Sequence, residues 1–256
     1  MNYLITAKTD VGIARPTNQD SLSVRRYQTD AGPVLLVALC DGMGGLQKGE
    51  VASASMINTL RNWGDNRIGA LAAAGMNFDT VKFEWAELIR SMNRKIRNYG
   101  RSSGISLGTT LTAGLFCGDK MFLVNVGDTR AYSISNLLIQ LTKDQTFVMR
   151  EVELGHMTLE QAENDKRRSV LLQCIGASEE VYPDFFTSPV MEDQVFLFCT
   201  DGFRHEISGD EIQAALQPSE MVSAETMGER LLYLIDLNKS RQERDNITAV
   251  AVRTYA

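Results

Sequence analysis

The sequence is poor in histidine: His156 and His205 are the only two in 256 residues, and neither has a partner at a metal-ligand spacing. Lone histidines of this kind seldom carry chemistry, so a solvent or structural role is expected for both, although His205, three residues after Gly202, could approach a site there. Cysteine is also sparse. Cys40, Cys117, Cys174 and Cys199 lie far apart, without CxxC or His-linked spacing, which argues against a zinc site or a disulfide framework. Reduced buried thiols fit better, and a cytoplasmic location is expected from them. An excess of positive charge is missing too: 26 Lys and Arg stand against 32 Asp and Glu, a net charge of -6, which disfavours nucleic acid as a partner. No apolar run approaches a membrane span, and the start MNYLITAKTD lacks the basic-then-apolar order of a secretory signal, so no membrane partner is expected. With only 5 prolines and 44% hydrophobic residues the composition is that of an ordinary globular chain, long enough to bury a core.

What the chain does have is VLLVALCDGMGG, Val34 to Gly45. The apolar run predicts a buried strand, and it ends in one carboxylate, Asp41, before a turn of Gly42, Gly44 and Gly45. An isolated buried charge is costly, so Asp41 needs a partner, a hydrogen bond or a metal. Glycines there would let backbone carbonyls and a ligand come close.

Taken in order, residues 3–8 and 21–27 alternate as strands, joined by the loop GIARPTNQDS with Arg15 and Asp20. Helical spacing runs from Lys48 to Trp63, a looser Gly/Ala/Asn segment follows over 64–77, and Asp79 to Tyr99 is the clearest helix, with Val81, Trp85, Leu88, Ile89, Met92, Ile96 and Tyr99 on one face. Strands are predicted over Leu107–Phe116, Lys120–Val126 and Arg130–Ile134, with Gly118-Asp119 as a hairpin turn. The segment 142–176 is mixed and helical, with a Thr158/Gln161 capping box. Val195 to Gly202 is another apolar strand ending in aspartate. Ser208 and Glu211 cap a helix through Leu216, Ser223–Leu237 is a further helix, and a last strand follows Asp245 and Asn246. Without a linker or repeat, residues 1–256 read as a single domain.

Three apolar strands deliver Asp41, Asp128 and Asp201, and a fourth is preceded by Asp245. If neighbouring strands run antiparallel, the ends of some and the start of another meet on one rim. Four clustered carboxylates repel unless cations balance them. All-oxygen ligation suits Mn²⁺ or Mg²⁺, and two such ions roughly 3.5 to 4 Å apart can activate a water and clamp a phosphoryl group. Arg15 could then grip the phosphate through a bidentate fork. Each Asp-Gly turn alone is ordinary turn chemistry; their joint occurrence carries the reading.

RPTNQDS, DGMGG, GTTL, VGDTRAY, LTKDQT, CTDG and DNIT occur in the order seen in the PPM family of metal-dependent Ser/Thr protein phosphatases (type 2C), and the chain resembles its bacterial branch from Gly12 to Val252. The resemblance implies an α+β fold, a four-layer α-β-β-α sandwich of two antiparallel sheets flanked by helices, with metals at one end and a flap at about 142–176. It implies that Asp41 bridges two metals, that the Gly42 carbonyl binds the second, and that Asp201 and Asp245 hold the first. Asp20 resembles the residue that orients the attacking water, Arg15 the phosphate-binding arginine, and Asp128 the aspartate of a possible third metal site. Phosphorylated proteins are the implied substrates, a Ser/Thr kinase the implied counterpart, and a monomer is expected.

The chain departs from the family pattern at three places. Gln19 stands where many members carry Glu, Met43 where eukaryotic relatives carry a histidine proposed as general acid, and KRRSVLLQCIG replaces the usual flap pattern. Water is therefore expected to protonate the leaving oxygen, and no phosphoenzyme is expected. Thr109 and Thr110 are read as strand formers, and Lys166, Arg167 and Arg168 as a solvated face, with phosphopeptide docking as the minor alternative. The alternative function is a noncatalytic pseudophosphatase module, for which Gln19 is the only support.

Overall fold

The computed structural model describes residues 1–43 and 48–255, so Gly44 and Gly45 of the expected turn lie outside the described residues. In chain order the elements are β1 (Asn2–Asp10), β2 (Ser21–Thr29), β3 (Gly32–Cys40), α1 (Gly49–Ala73) and α2 (Phe78–Ser103). Then come β4 (Leu111–Cys117), β5 (Lys120–Val126), β6 (Arg130–Ile134), β7 (Leu138–Gln140), α3 (Phe147–Glu153) and α4 (Leu159–Asn164). The chain finishes with β8 (Asp184–Pro189), β9 (Val195–Cys199), α5 (Gly209–Ala215), α6 (Ala224–Ser240) and β10 (Ile247–Tyr255). One antiparallel sheet has the order β1-β10-β9-β6-β7 and the other β2-β3-β4-β5-β8.

The continuous apolar strands follow from this layering, because their alternate side chains face two different cores. Val34, Leu36, Ala38 and Cys40 of β3 pack under α1 and α2, with Trp85, Ile89 and Met56. Leu35, Val37 and Leu39 point the other way, into the space between the sheets, where they meet Phe116, Phe196 and Phe198. Strands β9 and β10 do the same, sending Leu197, Cys199 and Ala249 against Leu231 and Leu234 of α6. The expected four-layer α-β-β-α sandwich is therefore the architecture observed.

Several boundaries differ from the sequence reading, each for a local reason. Helix α1 does not stop at Trp63 but runs unbroken through the segment read as looser, to Ala73. Gly64, which suggests a break, is instead a close approach to the sheet: a Cβ there would lie 2.5 Å from Tyr27 Oη and 2.9 Å from Leu36. Strand β4 begins at Leu111 rather than Leu107, because Thr109 makes isolated bridges to Gly42 and Ile175. Tyr99 is 43% exposed, lying near the end of α2 beside a buried stripe that ends at Gly100. Edge strands β7 and β8 have no counterpart in the predicted elements; a half-exposed edge strand of few residues leaves little alternation to read.

Other signals are borne out. The Thr158/Gln161 and Ser208/Glu211 capping boxes both form, and Ser223 caps α6. Over 142–176 the chain forms α3 and α4 and is pinned at its C-terminal end by the Thr109–Ile175 bridge and by Gly176 N–H donating to Asn93 Oδ1 at 2.7 Å. Among the described residues no helix is long and apolar enough to cross a membrane.

Candidate metal and phosphate site

Antiparallel register brings the aspartates to one rim. Ser21 pairs with Cys40, so Asp20 and Asp41 leave the β2–β3 ladder side by side. Arg130 and Ala249 both pair with Cys199, which places Asp128 before β6, Asp201 after β9 and Asp245 before β10 at the same end of the other sheet. The five carboxylates feel one another. Burial pushes Asp41 well above the usual carboxylate range, helped by Asp20, Asp201, Asp128 and Asp245. Burial likewise raises Asp20 to about 7, against hydrogen bonds from Thr248 and Thr200. It raises Asp128 to about 7, with Asp201 adding to the shift and Arg204 opposing it.

Each ligand candidate is held by backbone contacts as well. Asp41 N–H donates to Thr110 Oγ1 at 2.9 Å, while the Asp41 carbonyl accepts from Thr110 N–H and from Thr109 Oγ1, both at 2.9 Å. Thr110 Oγ1 lies 2.6 Å from Thr129 Oγ1, next to Asp128. Thr109 and Thr110 are thus positioning residues, beyond the strand-forming role read from their β-branching. Gly42 N–H donates to the Gln19 carbonyl at 3.1 Å. The loop with Arg15 and Asp20 is tied to β10 through Asn246, whose Oδ1 accepts from Gln19 N–H at 2.8 Å and whose Nδ2 donates to the Val11 and Thr17 carbonyls.

Arg15 reaches the rim, where its Nε and Nη2 donate to Asp245 Oδ1 and Oδ2 at 3.0 and 2.9 Å. The fork expected for a phosphate is thus engaged with one of the expected metal ligands. Gln19, where the family pattern has Glu, donates from Nε2 to Glu50 Oε2 at 3.1 Å. Met43 N–H donates to the Gly108 carbonyl at 3.1 Å.

His205 is neither exposed nor remote. Its Nε2 lies 3.5 Å from Asp201 Oδ2 and its Nδ1 3.4 Å from Glu243 Oε2, with 11% of the side chain accessible. Glu243 Oε1 in turn accepts from the N–H groups of Arg244 and Asp245. The result is a chain of contacts from Asp201 through His205 to the backbone of Asp245. His205 and Glu243 therefore orient two of the carboxylates; the only sequence signal for His205 was its i,i+4 spacing from Asp201, and Glu243 had none. His156, by contrast, is exposed and pairs with Glu151, as expected. Arg167 lies on the surface with Asp165, as a solvated face would.

Among the described residues, no three Asp, Glu, His or Cys side chains stand close enough to enclose an ion as they are. Asp245 is drawn to Arg15 and Asp20 to Thr248 Oγ1, at 2.6 Å. The donor set nonetheless suits a hard divalent cation. Asp20 Oδ1 and Asp201 Oδ1 are buried acceptors without a hydrogen-bond partner, and burial among neighbouring carboxylates raises Asp41, Asp20 and Asp128. A cation would satisfy both the orphaned oxygens and the crowded charge.

Replacing Thr110 with valine keeps the shape but strands the part-buried Asp41 N–H. We expect a loss of about 1–3 kcal/mol in urea denaturation, with a lower rate of phosphate release because Asp41 loses its anchor. An unchanged denaturation midpoint would refute the anchoring role.

The family model for protein phosphatase 2C matches residues 16–232. The serine/threonine phosphatase stp of Listeria monocytogenes is 30% identical over 248 residues, spanning 96% of this chain and 93% of the relative. Among solved structures, the serine/threonine phosphatase of S. agalactiae superposes with a TM-score of 0.82 at 28% identity, covering 99% of this chain and 100% of that one. The catalytic domain of the serine threonine protein phosphatase PstP, determined in complex with two manganese ions, superposes with a TM-score of 0.78 at 30% identity, each chain covered to 100%.

Proposed function

Because the chain belongs to the protein phosphatase 2C family, we propose that it removes phosphate from phosphoserine and phosphothreonine in proteins, using two Mn²⁺ or Mg²⁺ ions at the Asp41 rim. The observation that carries this reading is the convergence of Asp20, Asp41, Asp128, Asp201 and Asp245 on one end of two sheets, with Arg15 among them. Asp41, the Gly42 carbonyl, Asp201 and Asp245 are the groups that would hold the ions, with Asp41 at the centre of the set. When bound, the ions supply an activated water and a clamp for phosphoryl oxygens.

The remaining work falls to the chain. Asp20, held by Thr248 and Thr200, accepts a hydrogen bond from the attacking water and aligns it. Arg15, whose planar fork now engages Asp245, would fix the phosphoryl oxygens of the substrate with that same fork. Met43 offers no acid, so water protonates the leaving serine or threonine oxygen, and attack is direct, without a phosphoenzyme. Residues 1–256 act as one catalytic domain, with 142–176 as its flap. The expected setting is a cytoplasmic monomer opposite a Ser/Thr kinase.

The test is phosphate release from a phosphothreonine peptide with Mn²⁺, with and without a chelator. Chelation is expected to remove essentially all turnover, and readdition of Mn²⁺ to restore it. Equal rates in chelator would sink the two-ion mechanism.

A further inference from the structure

The rim contains one fixed positive charge that the proposed ligand set does not use. Arg204 lies on the chain just beyond Asp201, with its side chain 12% accessible. Its Nη2 donates to the Asp128 carbonyl at 3.1 Å and to Asp144 Oδ2 at 3.3 Å, and lies 4.0 Å from Asp128 Oδ2. Asp144 is already gripped by Arg130, whose Nε and Nη2 donate to Oδ1 and Oδ2 at 2.8 and 2.7 Å. Two guanidiniums therefore share one carboxylate, and the charge left over falls on Asp128. Arg204 Nε is buried without a partner, so this placement serves what Nη2 reaches, at the expense of the side chain's own hydrogen bonding.

Arg15 directs its own Nε and Nη2 fork at Asp245. A cation bound at Asp128 Oδ2 would sit within a few ångström of the Arg204 guanidinium. In so buried a place the two like charges would repel with little screening. We propose that Arg204 is a built-in positive charge that reserves Asp128, keeping this carboxylate out of cation binding while the rest of the rim takes its ions. The inference rests on the two-ion reading above. It gives Asp128 a different part from the one the family resemblance implies, that of a ligand to a third ion.

Mn²⁺ binding to the whole chain tests it, with calorimetry for the isotherm and electron paramagnetic resonance to count free ion. Arg204→Gln removes the charge and keeps a donor for the Asp128 carbonyl, and is expected to make a Mn²⁺ site at Asp128 measurable, at least about tenfold tighter than any binding there in the parent. Arg204→Lys keeps the charge and should leave that site within about twofold of the parent. Adding Asp128→Asn to Arg204→Gln should cancel the gain. An Arg204→Gln isotherm like the parent's, or equal tightening in Arg204→Lys, overturns the proposal while the two-ion reading stands. A parent chain that takes up no Mn²⁺ overturns both. Should Arg204→Gln fail to fold, Asp128→Asn alone decides: an unchanged isotherm supports the proposal, and loss of one ion overturns it.

Discussion

Replacing Asp41 with asparagine is expected to lower Mn²⁺-dependent phosphate release from a phosphothreonine peptide by about a thousandfold, while the metal-free chain becomes more stable at pH 8. The two effects have one cause. Burial, and then Asp20, Asp201, Asp128 and Asp245, hold the Asp41 carboxyl well above its ordinary range. A carboxyl raised in the folded state is protonated there before it is protonated in the unfolded chain. The folded state therefore binds more protons between the two values, and stability falls as pH rises through that window. Asparagine has the same shape and no charge, so this penalty disappears. The backbone bonds to Thr109 and Thr110 remain. What is lost is the carboxylate on which the proposed two-ion site is centred.

Thermal melts in chelator and turnover in Mn²⁺ measure the two halves separately. A variant with a higher melting temperature and no turnover is a disarmed enzyme, not a misfolded one. A variant that keeps its turnover would refute the assignment of Asp41. If the parent chain itself showed no turnover yet bound phosphoproteins, the noncatalytic module would be the better account.

The site was legible where strand periodicity and turn chemistry coincide. Asp41 and Asp201 each end an apolar run, Asp128 follows one across Gly127, and antiparallel pairing carries them to one rim without further assumption. The sandwich itself came from the family resemblance, because an apolar strand does not say which two cores its faces meet. Long-range polar contacts were the least legible. His205 appeared inert because Glu243 is distant in sequence, and only the fold sets it between Asp201 and the start of β10. Thr109 and Thr110 passed for strand formers because their hydroxyl partners lie across the sheet, on Asp41 and Thr129. Glycine misled in the other direction. Gly64 suggested the end of a helix, whereas its missing side chain makes room for Tyr27.

Gly42 is the position where that lesson has the largest consequence. A Cβ there would stand 2.4 Å from the Gln19 carbonyl oxygen and 2.6 Å from the carbonyl of Gly49, both backbone atoms. Neither can turn aside as a flexible side chain could. Gln19 is fixed through Asn246 and accepts from Ser53 Oγ at 2.6 Å, and Gly49 opens α1. Gly42→Ala must therefore push the Asp20 and Asp41 segments apart, against the ladder that ends at Ser21 and Cys40. We expect a loss of about 3 kcal/mol in urea denaturation. We also expect at least about a hundredfold loss in turnover, since displacing a ligand group by an ångström is enough for that. Gly69→Ala is the matched control. Nothing lies within 4 Å of a Cβ at Gly69, and the residue is inside α1, so alanine should stabilise the chain by about 0.5–1 kcal/mol with turnover unchanged. If Gly42→Ala instead matched Gly69→Ala in both measurements, the close contact of Gly42 with Gln19 and Gly49 would have no part in holding the rim.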